Sequence, residues 1–215
     1  MNDFSIKNIA HALRLKSRKI VWNLLKKVSK ILVPNYEKAN VMLGGNDIIV
    51  EVDESKFGKR KYHRGHRVDG VWVLGVVERT PDRKIKLIVV NDRSKETLEE
   101  KLKESIEENS IVYTDGWRGY NGLGLLFSSH GLVNHSLWFK DPITEIHTNT
   151  VEGNWSGIKP GIPPRKRTKD SISLYITRFM LQRNEKMHPL LALIKHLFYF
   201  VFVSSFKSPF LRAIF

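Results

Sequence analysis

The chain has 215 residues, enough for one sizeable domain and a small appendage, and its 41% hydrophobic and 27% charged composition excludes wholesale disorder. Its 36 Lys and Arg against 22 Asp and Glu give a formal charge of +14 and a pI near 9.9, which points to a polyanionic partner, with nucleic acid ahead of an anionic membrane. The absence of Cys excludes disulfides, thiol catalysis and zinc sites with Cys ligands, and leaves an intracellular location unopposed.

The N-terminal stretch lacks the apolar core and small-residue cleavage site of a signal peptide. Residues 5–32 carry apolar positions at helical spacing (Ile9, Leu13, Ile20, Leu24, Leu25, Val28, Leu32), with six basic residues between Arg14 and Lys27. Two readings stand side by side. Leu15-Lys16-Ser17 turns the chain within a small helical DNA-binding unit, or the whole is a basic amphipathic helix packed on the main domain. Pro34 and residues 43–47 (LGGND) then read as a linker.

Residues 48–53 (IIVEVD) form a β-branched run ending on a carboxylate, and residues 57–67, dense in Lys, Arg and His, suit a hairpin loop beside phosphate. Strands are expected at 70–77 and 84–90, joined at Pro81-Asp82, followed by a charged helix from Ser94 to about Asn109 with Leu98, Leu102 and Ile106 on one face. A strand at 111–115 again ends on Asp, a turn leads to Tyr120, and a fifth strand is expected at 131–135. A final helix should begin near His147, carry Glu152, Trp155, Ser156 and Lys159, and stop at Pro160-Gly161, ahead of the basic loop 163–167. The order, three strands, helix, strand, short helix, strand, helix, matches an α/β fold of the ribonuclease H-like type, a mixed sheet flanked by helices, with a small N-terminal helical segment. Residues 190–203 are nearly all apolar but interrupted by Lys195 and His196, and fall short of the roughly 20 residues a spanning helix needs. A buried helix is expected there, and no membrane partner.

Asp53 and Asp115 are placed at the ends of hydrophobic strands, and Glu152 on a helix able to cross that edge. Three clustered carboxylates repel one another unless cations neutralise them, and such hard oxygen ligands suit Mg²⁺ or Mn²⁺, two ions together clamping an in-line phosphoryl displacement. A single strand-end Asp is most often a solvated or capping residue. The third box makes the difference: Glu152 and Lys159, seven residues apart, return to nearly the same helix face, so one can hold an ion while the other holds a phosphate. Trp155 between them reads as a core residue. Basic residues Lys56, Lys59, Arg60, Lys61, Arg64 and Arg67, with Arg165, Lys166 and Arg167, are expected to contact the DNA backbone.

Val50-Glu51-Val52-Asp53-Glu54-Ser55, Tyr113-Thr114-Asp115-Gly116-Trp117, Val133-Asn134-His135-Ser136 and the box from His147 to Lys159 resemble the DDE transposase domain of Merlin elements and related bacterial insertion sequences. The likeness extends through Arg178-Phe179 and Arg183-Asn184, covering roughly residues 45–190. It implies metal ligands at Asp53, Asp115 and Glu152, a trailing basic residue at Lys159, metal-dependent cleavage at transposon ends and strand transfer by the exposed 3′-hydroxyl. It also implies DNA partners (terminal inverted repeats and target DNA), a homodimer on DNA, and an intracellular location with chromosomal DNA. Relatives often carry a cysteine-containing zinc ribbon upstream, and no Cys occurs here. The alternative is therefore a catalytically inactive, transposase-derived DNA-binding protein; a nuclease of the same fold would hydrolyse without joining. The expected organisation is a helical segment over 1–44, the catalytic domain over 45–189 and an apolar tail over 190–215.

Overall fold

A computed structural model describes residues 10–11, 14–39, 42–58, 70–133 and 145–185. Expectations that fall on residues 59–69, 134–144 and 186–215, among them Lys59, Arg60, Lys61, Arg64 and Arg67, lie outside the described residues. The chain divides into two compact units, Met1–Asn40 with Leu190–Phe215, and Val41–Pro189.

In the first unit, helix α1 spans Arg18–Ala39. The expected turn at Leu15-Lys16-Ser17 precedes it, and the Ser17 hydroxyl accepts the Lys19 N–H at 3.2 Å. Pro34, expected to lead into a linker, lies inside the helix, which continues to Ala39. No helix among the described residues is long and apolar enough to cross a membrane.

The second unit is built on a five-stranded sheet of β1 (Ile49–Phe57), β2 (Val71–Glu78), β3 (Ile85–Val90), β4 (Ile111–Asp115) and β5 (Ser129–Val133). Their order is β3-β2-β1-β4-β5; β1, β2 and β3 run antiparallel, while β4 joins β1, and β5 joins β4, in parallel. Helices α2 (Lys95–Lys103), α3 (Asn149–Gly161) and α4 (Lys169–Asn184) flank it. This is the ribonuclease H-like α/β arrangement.

Because alternate side chains of a strand point to opposite faces, β1 divides its residues between two layers. Val50 and Val52 join Leu74, Val76, Val112 and, from α2 and the segment after it, Leu98, Leu102 and Ile106 in one core. Burying each such side chain contributes about 1.5–3 kcal/mol. Glu51, Asp53 and Ser55 face the other layer, where Val151 and Trp155 of α3 pack against Gly75 of β2. Beyond α3, helix α4 buries Ile172, Ile176 and Met180 at a spacing of four, and the Asn184 side chain bonds both the N–H and the C=O of Ile85 at 2.8 Å. That amide satisfies a backbone pair on the open edge of β3, which would otherwise invite another strand.

The structure corrects several boundaries. The β1 strand runs on to Phe57, so Asp53 is not its last residue. It lies instead past the point where β4 stops pairing with β1, at Glu51 opposite Tyr113. Helix α2 ends at Lys103 rather than near Asn109, because Leu43 bonds the backbone of Ser105 and Glu107 and draws that segment into a parallel bridge. The β5 strand begins two residues earlier than expected, and α3 is not the final helix.

Candidate active site

The register that sets Glu51 opposite Tyr113 brings Asp115, two residues on, level with Asp53 on the neighbouring parallel strand. The two lie just past the end of that pairing, near enough for the charge of Asp115 to act on Asp53. Glu152 sits in the first turn of α3, which crosses the same face. Each of the three is half-buried, and each is held by a donor of the protein. The Trp155 indole N–H donates to Asp53 Oδ2 at 2.8 Å, the Trp117 backbone N–H to Asp115 Oδ1 at 2.9 Å, and the Thr148 hydroxyl to Glu152 Oε1 at 3.1 Å.

Burial pushes the Asp53 carboxyl up to about 6, and the charges of Asp115 and Glu152 push the same way, against the Trp155 N–H and the Glu54 backbone N–H. The three acidic groups therefore share one electrostatic site. Hard oxygen donors crowded so that the charges of two raise the proton affinity of Asp53 fit a divalent cation, whose charge would offset that repulsion. Among the described residues no group of three or more acidic or His side chains forms a ready metal-binding cluster. In this arrangement the carboxylates are turned onto Trp155, Trp117 and Thr148.

Helix α3 is fixed in place by a residue that the sequence reading left unassigned. Glu51, fully buried and two residues before Asp53 on the same face of β1, accepts the backbone N–H groups of Thr150 (2.7 Å) and Val151 (3.0 Å) and the Thr150 hydroxyl (2.8 Å). Its carboxylate takes the place of an N-cap side chain, filling donors that a helix cannot satisfy internally and complementing the positive end of the helix dipole. Arg79 completes the cap. Its Nε reaches Glu51 Oε1 at 2.6 Å, its second nitrogen donates to the His147 carbonyl at 2.6 Å, and its guanidinium lies 4.9 Å from the Tyr113 ring centroid. His147 Nδ1 receives donors from Arg79 at 2.8 Å and from the Asn149 N–H at 3.3 Å, so it carries no proton. The 3.5 Å approach of His147 to Glu51 is thus not an ion pair. An open cleft beside this cap is lined by Arg79, Arg83, His147 and Thr150, and none of the three carboxylates lines it.

Trp155 is the core residue expected and also more than that, since its ring is buried while its N–H holds Asp53. Space for the ring comes from Gly75, the partner of Asp53 across β1 and β2; a Cβ there would lie 2.6 Å from Trp155 Cζ2. Gly75→Ala should therefore cost about 1–3 kcal/mol by overpacking and swing the indole off Asp53. Urea unfolding should show a lower midpoint at unchanged slope. A midpoint equal to the parent's would show that the ring moves aside freely.

Lys159 lies two helical turns beyond Glu152, its Nζ 5.9 Å from the Phe57 ring centroid at the end of β1; Phe57 also meets Trp155 edge-on. Lys56 is exposed on β1, and Arg165 is exposed after α3. Arg167 is engaged locally, donating to the Lys159 carbonyl (2.8 Å) and the Ile162 carbonyl (3.0 Å) at the C-terminal end of α3. The structure thus gathers Asp53, Asp115 and Glu152, sets Lys159 on the same helix as Glu152, and gives Arg167 a capping task.

The ISXO2-like transposase domain family matches residues 42–164, more than half of the chain, from the start of the sheet through α3. The chain belongs to this family. The DDE transposase resemblance stands on that match, and the second unit of the chain is an ISXO2-like transposase domain, with α4 lying beyond the matched segment. No curated protein matches the chain.

On the opposite face of β1 from Asp53, the transposase domain buries a further acid. Glu54 is pushed up to about 7 by burial and by the charges of Asp115 and Asp53, opposed by the Tyr120 hydroxyl, which donates to Oε2 at 2.6 Å, and by Arg93. Both Asp53 and Glu54 hold protons more tightly folded than unfolded, so the native chain takes up protons as the pH falls. Metal-free protein should gain stability from about pH 7 down to about pH 4, and lose that gain as the pH rises again. Thermal unfolding in EDTA at pH 5 and 7.5 tests this against the Asp53→Asn, Glu54→Gln double variant, which should lack that component. Equal pH slopes in the two proteins would remove these carboxyls as its source.

Proposed function

We propose that this domain is the catalytic core of a DNA transposase, with Asp53, Asp115 and Glu152 holding divalent metal ions, Mg²⁺ or Mn²⁺, during cleavage and strand transfer at transposon ends. The observation that carries the reading is the coupling of the three acids: two from adjacent parallel strands and one from the helix crossing them, with Asp53 raised in part by the charges of the other two. When bound, two such ions about 4 Å apart activate the attacking oxygen and neutralise the leaving oxygen of an in-line displacement at phosphorus.

The remaining tasks fall to side chains of the chain itself. Trp155 holds one oxygen of Asp53 and so fixes the direction in which the carboxylate is presented. Glu51 and Arg79 set the start of α3, and with it the position of Glu152 one turn later. Lys159, two turns along the same helix, supplies a cation for a DNA phosphate, and Lys56, Arg165 and Lys166 extend the basic surface. Joining requires two DNA ends at once, which calls for a homodimer on paired terminal inverted repeats with target DNA as the second substrate.

Incubating the full chain with Mg²⁺ or Mn²⁺ and DNA bearing the element's terminal repeats should yield end cleavage and joined products. Folded protein that binds this DNA and yields neither would reduce the reading to a DNA-binding protein without chemistry. Hydrolysis with no joined product would make it a nuclease.

A further inference from the structure

Beyond the acidic site, the domain carries a row of alternating cations and aromatic rings assembled from four separate stretches of chain. Lys56 of β1 has its Nζ 5.3 Å from the Trp72 ring centroid on β2. The Arg93 guanidinium, from the connection between β3 and α2, lies 4.1 Å from the Trp72 centroid and 4.2 Å from that of Trp117. Arg118, in the turn after β4, closes the row 5.9 Å from Trp117. Lys56 and Arg118 are exposed, and neither forms an ion pair among the described residues.

The row also touches the acidic site, because the Trp117 backbone N–H is the donor that holds Asp115. Gly116, between them, is exposed and has no neighbour among the described residues within 4 Å of where a Cβ would stand. The Trp117 ring is held from behind: a Cβ on Gly119 would lie 2.6 Å from its Nε1, which in turn reaches the Arg93 carbonyl at 3.4 Å.

Trp72 and Trp117 also pack, partly buried, against the core, so a structural purpose accounts for the rings and Arg93 but not for the cations at the two ends of the row. Arg93 Nη1 stands 3.9 Å from Glu54 Oε1, an oxygen with no hydrogen bond among the described residues, and so offsets that buried charge. One carboxylate needs one such cation, whereas the row holds three. Two exposed cations flanking fixed indole rings serve no buried partner, and the whole is net positive beside Asp115.

We propose that the row Lys56–Trp72–Arg93–Trp117–Arg118 is a docking surface for a DNA strand with unpaired bases leaving the site at Asp115. Phosphates meet Lys56 and Arg118, and bases stack on the indole and guanidinium planes. Every base has a π-face, and base–aromatic stacking tolerates any sequence, so such a platform holds a splayed strand whatever its composition. A closed duplex offers it phosphates only. The proposal rests on the transposase reading for the identity of its ligand, and it is tested without the chemistry.

The experiment is fluorescence anisotropy of the full chain in EDTA with a labelled single-stranded oligonucleotide and with a duplex of the same sequence. Lys56→Gln with Arg118→Gln, both at exposed positions, should lose roughly tenfold or more in single-strand affinity and flatten the salt slope by about 1.4, at about 0.7 per phosphate contact. The control pair Arg83→Gln with Lys84→Gln, also exposed but on the β2–β3 connection, should change single-strand affinity by much less. Trp117→Leu, checked for folding by its unfolding midpoint, should lose roughly 5- to 150-fold on the single strand and far less on the duplex.

Affinities of the Lys56/Arg118 pair that match the control pair's would overturn the docking surface. Equal losses on single strand and duplex in the Trp117 variant would overturn the stacking. Metal-dependent cleavage, assayed separately, can persist when the docking surface fails; its absence with docking intact sinks only the transposase reading.

Discussion

Asp53→Asn should abolish metal-dependent DNA cleavage while leaving the protein folded and, near neutral pH, more stable than the parent. The expected loss of rate is on the order of 10³-fold or more, since a metal ion supplies several kcal/mol of transition-state stabilisation and each 1.36 kcal/mol is tenfold. The gain in stability has a separate origin. The parent carboxyl, raised to about 6 by burial and by Asp115 and Glu152, is held ionised at pH 7.5 at a cost that a neutral amide does not incur. An amide oxygen also accepts the Trp155 N–H that Asp53 accepts at 2.8 Å, so the packing of α3 on the sheet survives. Relief of about 1–2 kcal/mol is expected, read as a higher urea midpoint in EDTA at unchanged slope. Excess Mg²⁺ should narrow the gap by stabilising the parent alone. Opposite signs in the two measurements are what separate a metal ligand from an ordinary buried acid. A variant that cleaves like the parent, or one that unfolds more easily, would remove Asp53 from the role.

Much of the fold was legible because its strands are coded by local composition. The β4 strand stands in the sequence as Ile-Val-Tyr-Thr-Asp and in the structure with the same limits. The β1 strand was read too short because Asp53-Glu54-Ser55-Lys56 has the polarity of a turn; these residues stay extended because their partners are polar or ionic. Glu54 meets Tyr120 and Arg93, Asp53 meets Trp155, and Lys56 lies over Trp72. The break in α2 after Lys103 depended on Leu43, some sixty residues earlier, which no local window contains. Helix α4 did carry a readable signal in Ile172, Ile176 and Met180, but its polar residues are spread around the helix and blur the stripe.

The candidate site was legible at the level of its acids and not at the level of what holds them. Asp53, Asp115 and Glu152 are recognisable as boxes in order. The hydrogen bond from Trp155 to Asp53 spans 102 residues, and the bonds from Thr150 and Val151 to Glu51 span 99 and 100. Period-two alternation places Glu51 beside Asp53 on one face, which is the one local hint of a shared task. Gly75 offered another, since a glycine in the middle of an apolar strand marks a close approach, here that of an indole.

The second large effect is expected at Glu51. Its carboxylate is fully buried and accepts from four donors: Arg79 Nε, the Thr150 N–H and hydroxyl, and the Val151 N–H. Glu51→Ala strands a guanidinium whose side chain is 20% exposed and leaves two helix N–H groups without an acceptor, so a loss of about 3–5 kcal/mol is expected out of a total stability of roughly 5–15. Glu51→Gln preserves the shape, but its amide NH₂ must face one of those donors, for an expected loss of about 1–3 kcal/mol. The two variants should therefore rank Ala below Gln below parent in urea midpoint.

Stability alone does not show that Glu51 positions the site, and the Gln variant, still folded, supplies the decisive measurement. Glu152 stands one residue after Val151, so a cap that loosens at Thr150 and Val151 lets Glu152 drift from Asp53 and Asp115. Mn²⁺ affinity, measured by electron paramagnetic resonance at a temperature where both proteins are folded, should fall about tenfold in Glu51→Gln, and a Leu102→Ala protein, altered in the core on the other face of the sheet, serves as the comparison for general loosening. Unchanged Mn²⁺ binding in a destabilised Glu51→Gln protein would leave Glu51 as a helix cap and nothing more. A parent-like urea midpoint for Glu51→Ala would show that α3 is held by its apolar face, through Val151, Trp155 and Ile158, and not by the carboxylate at its start.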